Sequence, residues 1–558
     1  MNVPSEVLPS RWLTSAEDQQ EDRGALSAWE GVCIGVLAAI GRLLDFGSFS
    51  LWLDEILGRL WSRGTVAHAW SVSRSDVHPP LANLMEWALG RIGFSDDVQR
   101  LLPIAVGTVT VVMISRWVAL RFGRRAGLLV GILTALSPLG IRYSQELRPY
   151  PYLIFFVVLT FFTVDRLIED LRWRSWFVLL TAATGGLYSH YFYFLVALPS
   201  GILLVERSLS RDVLMRARGR RALGAAAAAG ALALVAFLPW LGRLLNLGSH
   251  SSTGGAPIWD FAAAGLRWQF LTVGAREGEP LTLLGALLLV LFAVGAGVAM
   301  TSARGRAVLV GAIGGTVGAE FMLHLGHHWS NARYDTVGWV FVVVLIGIGL
   351  AKCCVFVNRR WAFPLAVGLS LLAGAVAVAA YDQRGRQHWD LVAKAVRHLH
   401  RPGEPVFTEN EWTYASLGYY LVGPDFQSRS QVDLPLVAVN GDLTRLRALW
   451  PADGCAIFVT AGVPHFDVIR RGLHEFPLLA SYPYTDEADI FLLTPVVRQK
   501  MLEAGMREIG PGVVGTNSCG SDLRVLPYSL RGPDGGVLEA ARRGLHDWYS
   551  RTPAVSGY

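Results

Sequence analysis

Trp52-Leu53-Asp54-Glu55 follows directly on the first hydrophobic stretch of the chain. Two adjacent carboxylates at a membrane boundary are costly unless they are solvated or put to use. Two further polar motifs follow at similar boundaries: Asp76-Val77-His78-Pro79-Pro80-Leu81, and Tyr143-Ser144-Gln145-Glu146-Leu147-Arg148-Pro149-Tyr150. Together they hold the parts of a group transfer at a membrane surface. A carboxylate takes a proton from an acceptor hydroxyl, and a cation holds a lipid-linked phosphate.

Each motif has a chemical and a structural reading. Asp54 or Glu55 serves as a general base, with the other carboxylate orienting it or holding a divalent metal; alternatively the pair is solvated and caps a juxtamembrane helix. Pro79-Pro80 fixes the chain ahead of a helix and pins His78 at the surface, so His78 or Asp76 binds phosphate or acceptor, or the segment is only a turn. Arg148 is permanently charged and suits phosphate oxygens in a bidentate way, while Glu146 holds Arg148 or another arginine in place. Tyr143, Gln145 and Tyr150 belong to the same motif as candidate substrate contacts. Arg333-Tyr334 opens a later hydrophobic stretch as a phosphate contact or a snorkelling anchor, and Arg100 is a weaker case of the same kind.

Histidines raise the question of a metal. Glu320 and His324 lie one helical turn apart, with His327 and His328 beyond, but the spacing fits no standard zinc signature. Interfacial solvation or substrate hydrogen bonding is the better reading. His190, between Tyr188-Ser189 and Tyr191, stays open in the same way. No metal ligand is assigned, and a divalent cation beside the acidic pair is the one cofactor left open.

The elements that position these residues follow from composition. Of 558 residues 52% are hydrophobic and only 17% charged, with a mean hydropathy of +0.38. Soluble domains carry about 25% charged residues, so the chain reads as a polytopic membrane protein. Apolar stretches suited to crossing a bilayer lie near 30–47, 101–120, 126–142, 151–167, 175–190, 191–206, 221–243, 281–300, 307–325, 335–351 and 361–380, eleven in all. Segment 79–94 is too short and polar for a twelfth span and reads as an in-plane or re-entrant helix.

A net charge of +6 would suit nucleic acid, but the arginines collect in short connectors. Connectors 121–125, 165–174, 206–221, 302–306 and 352–360 hold seventeen Arg or Lys; 142–150, 188–193, 244–280 and 326–334 hold five. The first set is therefore cytoplasmic. Residues 1–29 form a cytoplasmic N-terminal segment, the first span is an uncleaved anchor, and loop 48–100, the Tyr143–Tyr150 motif and the C-terminal region face the other side of a plasma or inner membrane.

Residues 382–500 change character. Strand-length runs at 405–408, 434–439, 455–460 and 490–493 alternate with helix-like stretches Trp389 to His400 and Asp442 to Trp450, which predicts an extracytoplasmic α/β domain with a partly parallel sheet. Residues 501–558 are rich in Gly, Ser and Pro, with one helix-like stretch from Gly536 to Ser550. Cys455 and Cys519 fall in this outer region, where they form a disulfide or stay as two thiols. No P-loop, dinucleotide glycine fingerprint or Gly-x-Ser-x-Gly elbow is present.

Taken together, Leu51-Trp52-Leu53-Asp54-Glu55, His78-Pro79-Pro80-Leu81, Arg100-Leu101-Leu102-Pro103, Tyr143–Tyr150 and Arg333-Tyr334 resemble the GT-C superfamily of polytopic glycosyltransferases. The nearest likeness is to the bacterial protein O-mannosyltransferase and lipid A aminoarabinose transferase group, over about residues 30–380. Trp389 and Gly418-Tyr419-Tyr420-Leu421 resemble the extracytoplasmic tail domain of some bacterial members. Leu147 departs from the small residue of the common pattern. The resemblance implies a transmembrane core over 30–381 and inverting transfer from a polyprenyl-phosphate sugar. It makes Asp54 the base and puts arginines on the donor phosphate. The acceptor would be a hydroxyl on a glycan, lipid or protein, and no nucleic acid is involved. Two other classes remain as alternatives: a lipid-linked sugar flippase or transporter, and a non-catalytic scaffold that binds envelope glycans.

Overall fold

A computed structural model describes residues 24–246, 268–274, 282–325, 332–357, 360–382, 389–401, 404–408 and 411–423, a few single positions apart, with the strands 436–438, 456–460, 478–482 and 488–493. In chain order the helices are α1 (Ala28–Leu43), α2 (Leu53–Trp61), α3 (Val66–Val72), α4 (Leu81–Arg91), α5 (Asp96–Phe122), α6 (Arg124–Ala135), α7 (Pro138–Ser144) and α8 (Tyr150–Glu169). They continue as α9 (Trp173–Ser189), α10 (Ala197–Ser208), α11 (Val213–Asn246), α12 (Leu283–Ala299), α13 (Ala303–Leu325), α14 (Thr336–Val357), α15 (Ala362–Asp382), α16 (Trp389–Leu399) and α17 (Glu411–Leu421). The chain divides into two units, residues 1–46 with 61–381, and 47–60 with 382–558.

The first unit is a bundle of apolar helices. All eleven stretches read as spans are helical. Among the described residues six helices are singly long and apolar enough to cross a bilayer, and the bent pair α6–α7 makes a seventh if it is one span. That is fewer than the eleven crossings expected. The shortfall has a physical source: α1, α9, α10 and α12 have 16, 17, 12 and 17 residues, at or under the roughly 17–25 residues a crossing takes. Stretch 191–206 is split, because Tyr191–Val196 forms a 3-10 turn before α10 begins. Segment 79–94 forms only the 11-residue α4, too short to span.

Local sequence explains the element ends. Ser27 and Glu30 open α1 as a reciprocal capping box, with Glu30 N–H to Ser27 Oγ at 3.2 Å and Ser27 N–H to Glu30 Oε2 at 2.8 Å. Ser137-Pro138 breaks the helix after α6, turning α7 by 58°. The chain then bends again into α8, so the Tyr143–Tyr150 motif lies at a corner between helices. Glycines set the closest approach. A Cβ on Gly295 of α12 would strike the Leu345 carbonyl of α14, and one on Gly349 would strike the Leu291 carbonyl in return.

Charges gather at the far end of α8. Asp165, buried, accepts from Trp117 Nε1 at 3.1 Å and Arg304 Nε at 2.6 Å, and pairs with Arg121 Nε at 2.7 Å. Glu169 binds Arg121 Nη1 at 2.6 Å and Arg304 Nη2 at 2.7 Å. This network ties α5, α8 and α13 through arginines of connectors expected on one side. Asp165 and Glu169 lie 15 and 19 residues along α8 from Tyr150, about 22 to 28 Å away.

The second unit holds a five-stranded sheet of β1 (Val406–Thr408), β2 (Leu436–Ala438), β3 (Ala456–Thr460), β4 (Leu478–Tyr482) and β5 (Ala488–Leu493), in the order β2-β1-β3-β5-β4. β1 pairs in parallel with β2 and β3; β5 is antiparallel to β3 and β4. A partly parallel sheet was expected, but β4 was not. α16 and α17 cover it through Trp389, Val392, Val396, Leu417 and Leu421. The expected helices at 442–450 and 536–550, and Cys455 and Cys519, lie outside the described residues.

Segment 47–60, which carries Asp54 and Glu55, belongs to this second unit. The Trp389 N–H, the first donor of α16, bonds Ser50 Oγ at 2.8 Å. The Leu51 N–H donates to the Tyr420 hydroxyl of α17 at 2.5 Å. Ser50 thus satisfies a helix N-terminus that otherwise lacks an intrahelical partner.

Candidate active site

In the helical unit the motifs meet in one buried cluster. His78 is 2% exposed and Arg148 4%. His78 Nδ1 lies 3.2 Å from Asp76 Oδ1 and 3.0 Å from Arg148 Nη2. One ring nitrogen serves one of these partners at a time. Protonated, it donates to the carboxylate; unprotonated, it accepts from the guanidinium. The Asp76 carbonyl is also 3.5 Å from Arg243 Nη2 of α11.

Aromatic rings wall this cluster. Tyr150 lies 6.0 Å from His78 and 4.7 Å from Tyr143, between ring centroids. His190 lies 4.8 Å from His78, 5.6 Å from Tyr150 and 6.3 Å from Tyr334. The Arg333 guanidinium sits 5.2 Å over the Tyr334 ring and donates to its hydroxyl at 3.3 Å. His78, Tyr143, Arg148, Tyr150, Arg333 and Tyr334, each singled out in the sequence, therefore come together from three separate segments. His190 and Arg243 join them. His190 carried only a weak signal, a histidine between tyrosines at a span end, and Arg243 carried none.

Other candidates face elsewhere. The Gln145 side-chain amide donates to the carbonyls of Arg42 at 2.8 Å and Leu44 at 3.0 Å, which ties the motif to the end of α1. Glu146 accepts from Arg142 at 3.0 Å. Arg100 is buried within α5, 3.9 Å from Asp97. Glu320 is buried, while the side chains of His324, His327 and His328 lie outside the described residues.

The acidic pair opens α2 in the second unit. Glu55 is fully buried and its Oε2 accepts from the Trp52 N–H at 3.3 Å, which caps the helix. Asp54, in the same first turn, is half-buried. Among the described residues no three His, Cys, Asp or Glu side chains gather as a metal set.

Residues 77–242 match the family model described as dolichyl-phosphate-mannose-protein mannosyltransferase. That stretch holds His78, Arg148 and His190 and stops short of Arg333. Among solved structures the chain is similar to ArnT from Cupriavidus metallidurans in the apo state, at 13% identity and a TM-score of 0.52, over 84% of this chain and 99% of that one. This chain has the GT-C glycosyltransferase fold. The same ArnT bound to undecaprenyl phosphate matches at 13% identity with a TM-score of 0.48, over 83% and 97% of the two chains. The apo oligosaccharyltransferase of Archaeoglobus fulgidus matches at 11% identity with a TM-score of 0.46, over 73% and 64%. No curated protein sequence matches the chain. The whole is a multi-pass membrane protein that resembles the protein O-mannosyltransferase and ArnT group of GT-C enzymes.

Burial in this cluster holds His78 below its ordinary value of 6.5; Arg148 and Arg333 add to this, against the pull of Asp76. For Asp76, burial alone would raise its carboxyl, but His78, Arg148 and the Val77 N–H outweigh that and lower it. Each group then binds fewer protons folded than unfolded, so stability falls on acidification. The His78 part is full above about pH 6.5 and is lost below it; the Asp76 part is lost at lower pH still. The stability advantage of wild type over His78→Gln in detergent should therefore shrink between pH 7.5 and 5. A constant difference in melting temperature across that range would mean that His78 titrates as in water.

Proposed function

We propose that this chain is a membrane glycosyltransferase. It moves a sugar from a polyprenyl-phosphate carrier to a hydroxyl on a glycan, lipid or protein acceptor. Transfer takes place on the extracytoplasmic face, with inversion at the anomeric carbon. The observation that carries the reading is the cluster of buried His78 and Arg148 with half-buried Arg333, most of it inside the stretch that matches a dolichyl-phosphate-mannose-dependent family. A buried guanidinium edged by histidines and tyrosines is suited to a phosphate that arrives attached to lipid.

Asp54 takes the proton of the acceptor hydroxyl. That oxygen attacks the anomeric carbon on the face opposite the phosphate. The bond from the anomeric carbon to the phosphate oxygen breaks, and its electron pair stays on that oxygen. Arg148 and Arg333 stabilise the charge that grows there. Glu55 keeps the first turn of α2 in shape by accepting the Trp52 N–H.

The test is transfer of radiolabelled sugar from a panel of polyprenyl-phosphate sugars by purified protein in detergent, with total membrane lipid and cell-wall material as acceptors. Donor-dependent labelling supports the reading and names the sugar. Carrier binding with no labelling from any donor or acceptor fraction would favour a lipid-linked sugar flippase instead.

A further inference from the structure

His190 is buried, with 3% of its surface exposed, and is the residue on which α9 ends. Its Nδ1 accepts the Phe192 N–H at 3.1 Å and so caps the 3-10 turn Tyr191–Val196. A nitrogen that accepts carries no proton. The neutral ring must then hold its proton on Nε2. Nε2 is buried and has no hydrogen-bond partner among the described residues. Buried donors are nearly always paired, so an unpaired one in a functional cluster points to a missing acceptor.

The surroundings indicate what that acceptor is. The ring lies against those of His78, Tyr150 and Tyr334. Behind them stand Arg148, 3.0 Å from His78, and Arg333, stacked over Tyr334. Guanidinium groups on these sides favour an anionic oxygen over a sugar hydroxyl. We propose that the Nε2–H of His190 donates to a phosphate oxygen of the polyprenyl-phosphate carrier, as the neutral donor in a set whose other members are arginines. The proposal rests on the glycosyltransferase reading above and adds a ligand-contacting residue to it.

Two substitutions separate the two ring nitrogens. In His190→Asn the amide oxygen takes the place of Nδ1 and keeps the Phe192 cap, but the Nε2 donor is gone. In His190→Gln the amide nitrogen reaches the Nε2 position, and the cap is lost. The probes are undecaprenyl phosphate, uncharged undecaprenol and inorganic phosphate, each with purified full-length protein in detergent. A hydrogen bond to a charged group is worth about 10- to 100-fold in affinity. His190→Asn should melt close to wild type, bind undecaprenyl phosphate about 10- to 100-fold more weakly, and bind undecaprenol unchanged. His190→Gln should melt lower and recover part of the phosphate affinity. Wild-type phosphate affinity in folded His190→Asn overturns the proposal and leaves the ring as a cap whose Nε2 meets water. If the Asn variant does not fold, the Gln variant decides: retained affinity supports the contact, and lost affinity refutes it. Inorganic phosphate that competes equally with the lipid would assign the contact to phosphate alone. A wild type with no preference for undecaprenyl phosphate over undecaprenol would instead sink the glycosyltransferase reading itself.

Discussion

Asp54→Asn should lower the transfer rate by about 10²- to 10⁴-fold, the range that a general base contributes, and leave the protein folded. Asp54 is half-buried in the first turn of α2, and asparagine keeps its shape while removing its basicity. Carrier binding should stay within about twofold of wild type, because the base acts on the acceptor and not on the phosphate. Glu55→Gln makes the contrast. Glu55 is fully buried and accepts the Trp52 N–H; glutamine still offers an acceptor oxygen there. That variant should lose far less rate than Asp54→Asn. Initial rates with labelled donor, beside melting curves for both variants, decide the matter. A fully active Asp54→Asn enzyme, or a Glu55→Gln enzyme as impaired as Asp54→Asn, would remove Asp54 from the role of base.

What the sequence carried well was local. Hydropathy located the long helices of the bundle, because about 20 apolar residues in a row leave the backbone no other way to satisfy itself in lipid. The arginine count marked the connectors that carry Arg121 and Arg304, but not their pairing with Asp165 and Glu169 at one end of α8. The division of labour inside the Tyr143–Tyr150 motif was not legible. Arg148 meets His78, while Gln145 faces the end of α1 and Glu146 faces Arg142. Neighbours in sequence point in different directions at a helix corner, and the corner depends on the Ser137-Pro138 break. The attachment of Ser50 and Leu51 to Trp389 and Tyr420 was hidden for another reason. These bonds join residues 339 and 369 positions apart, and no periodicity records such a contact. It follows that segment 47–60 relies on α16 and α17 for its conformation, so the C-terminal domain supports the acidic pair.

Arg148 should prove the costliest cation to lose. It is buried, it lies 3.0 Å from His78 Nδ1, and only Pro149 separates it from Tyr150 in the chain. If its guanidinium stabilises charge on the departing phosphate, its contribution grows along the reaction, and kcat falls more than the Kd for carrier rises. Loss of one preorganised donor of this kind costs about 10²- to 10³-fold in kcat. Arg148→Ala should show that loss together with a lower melting temperature, since it also leaves His78 and Asp76 without their cation. Arg148→Lys is the sharper test. Lysine keeps the charge but replaces a planar fork by a point charge on a flexible stem. Its melting temperature should sit near wild type while kcat stays at least about 10-fold down, well inside the range for a lost donor. A lysine variant with wild-type kcat would reduce Arg148 to a charge that merely neutralises Asp76. One that melts like alanine, with its rate falling in step with folded protein, would make it structural. Only a stable enzyme that still binds carrier and turns over slowly is what a guanidinium on the leaving phosphate requires.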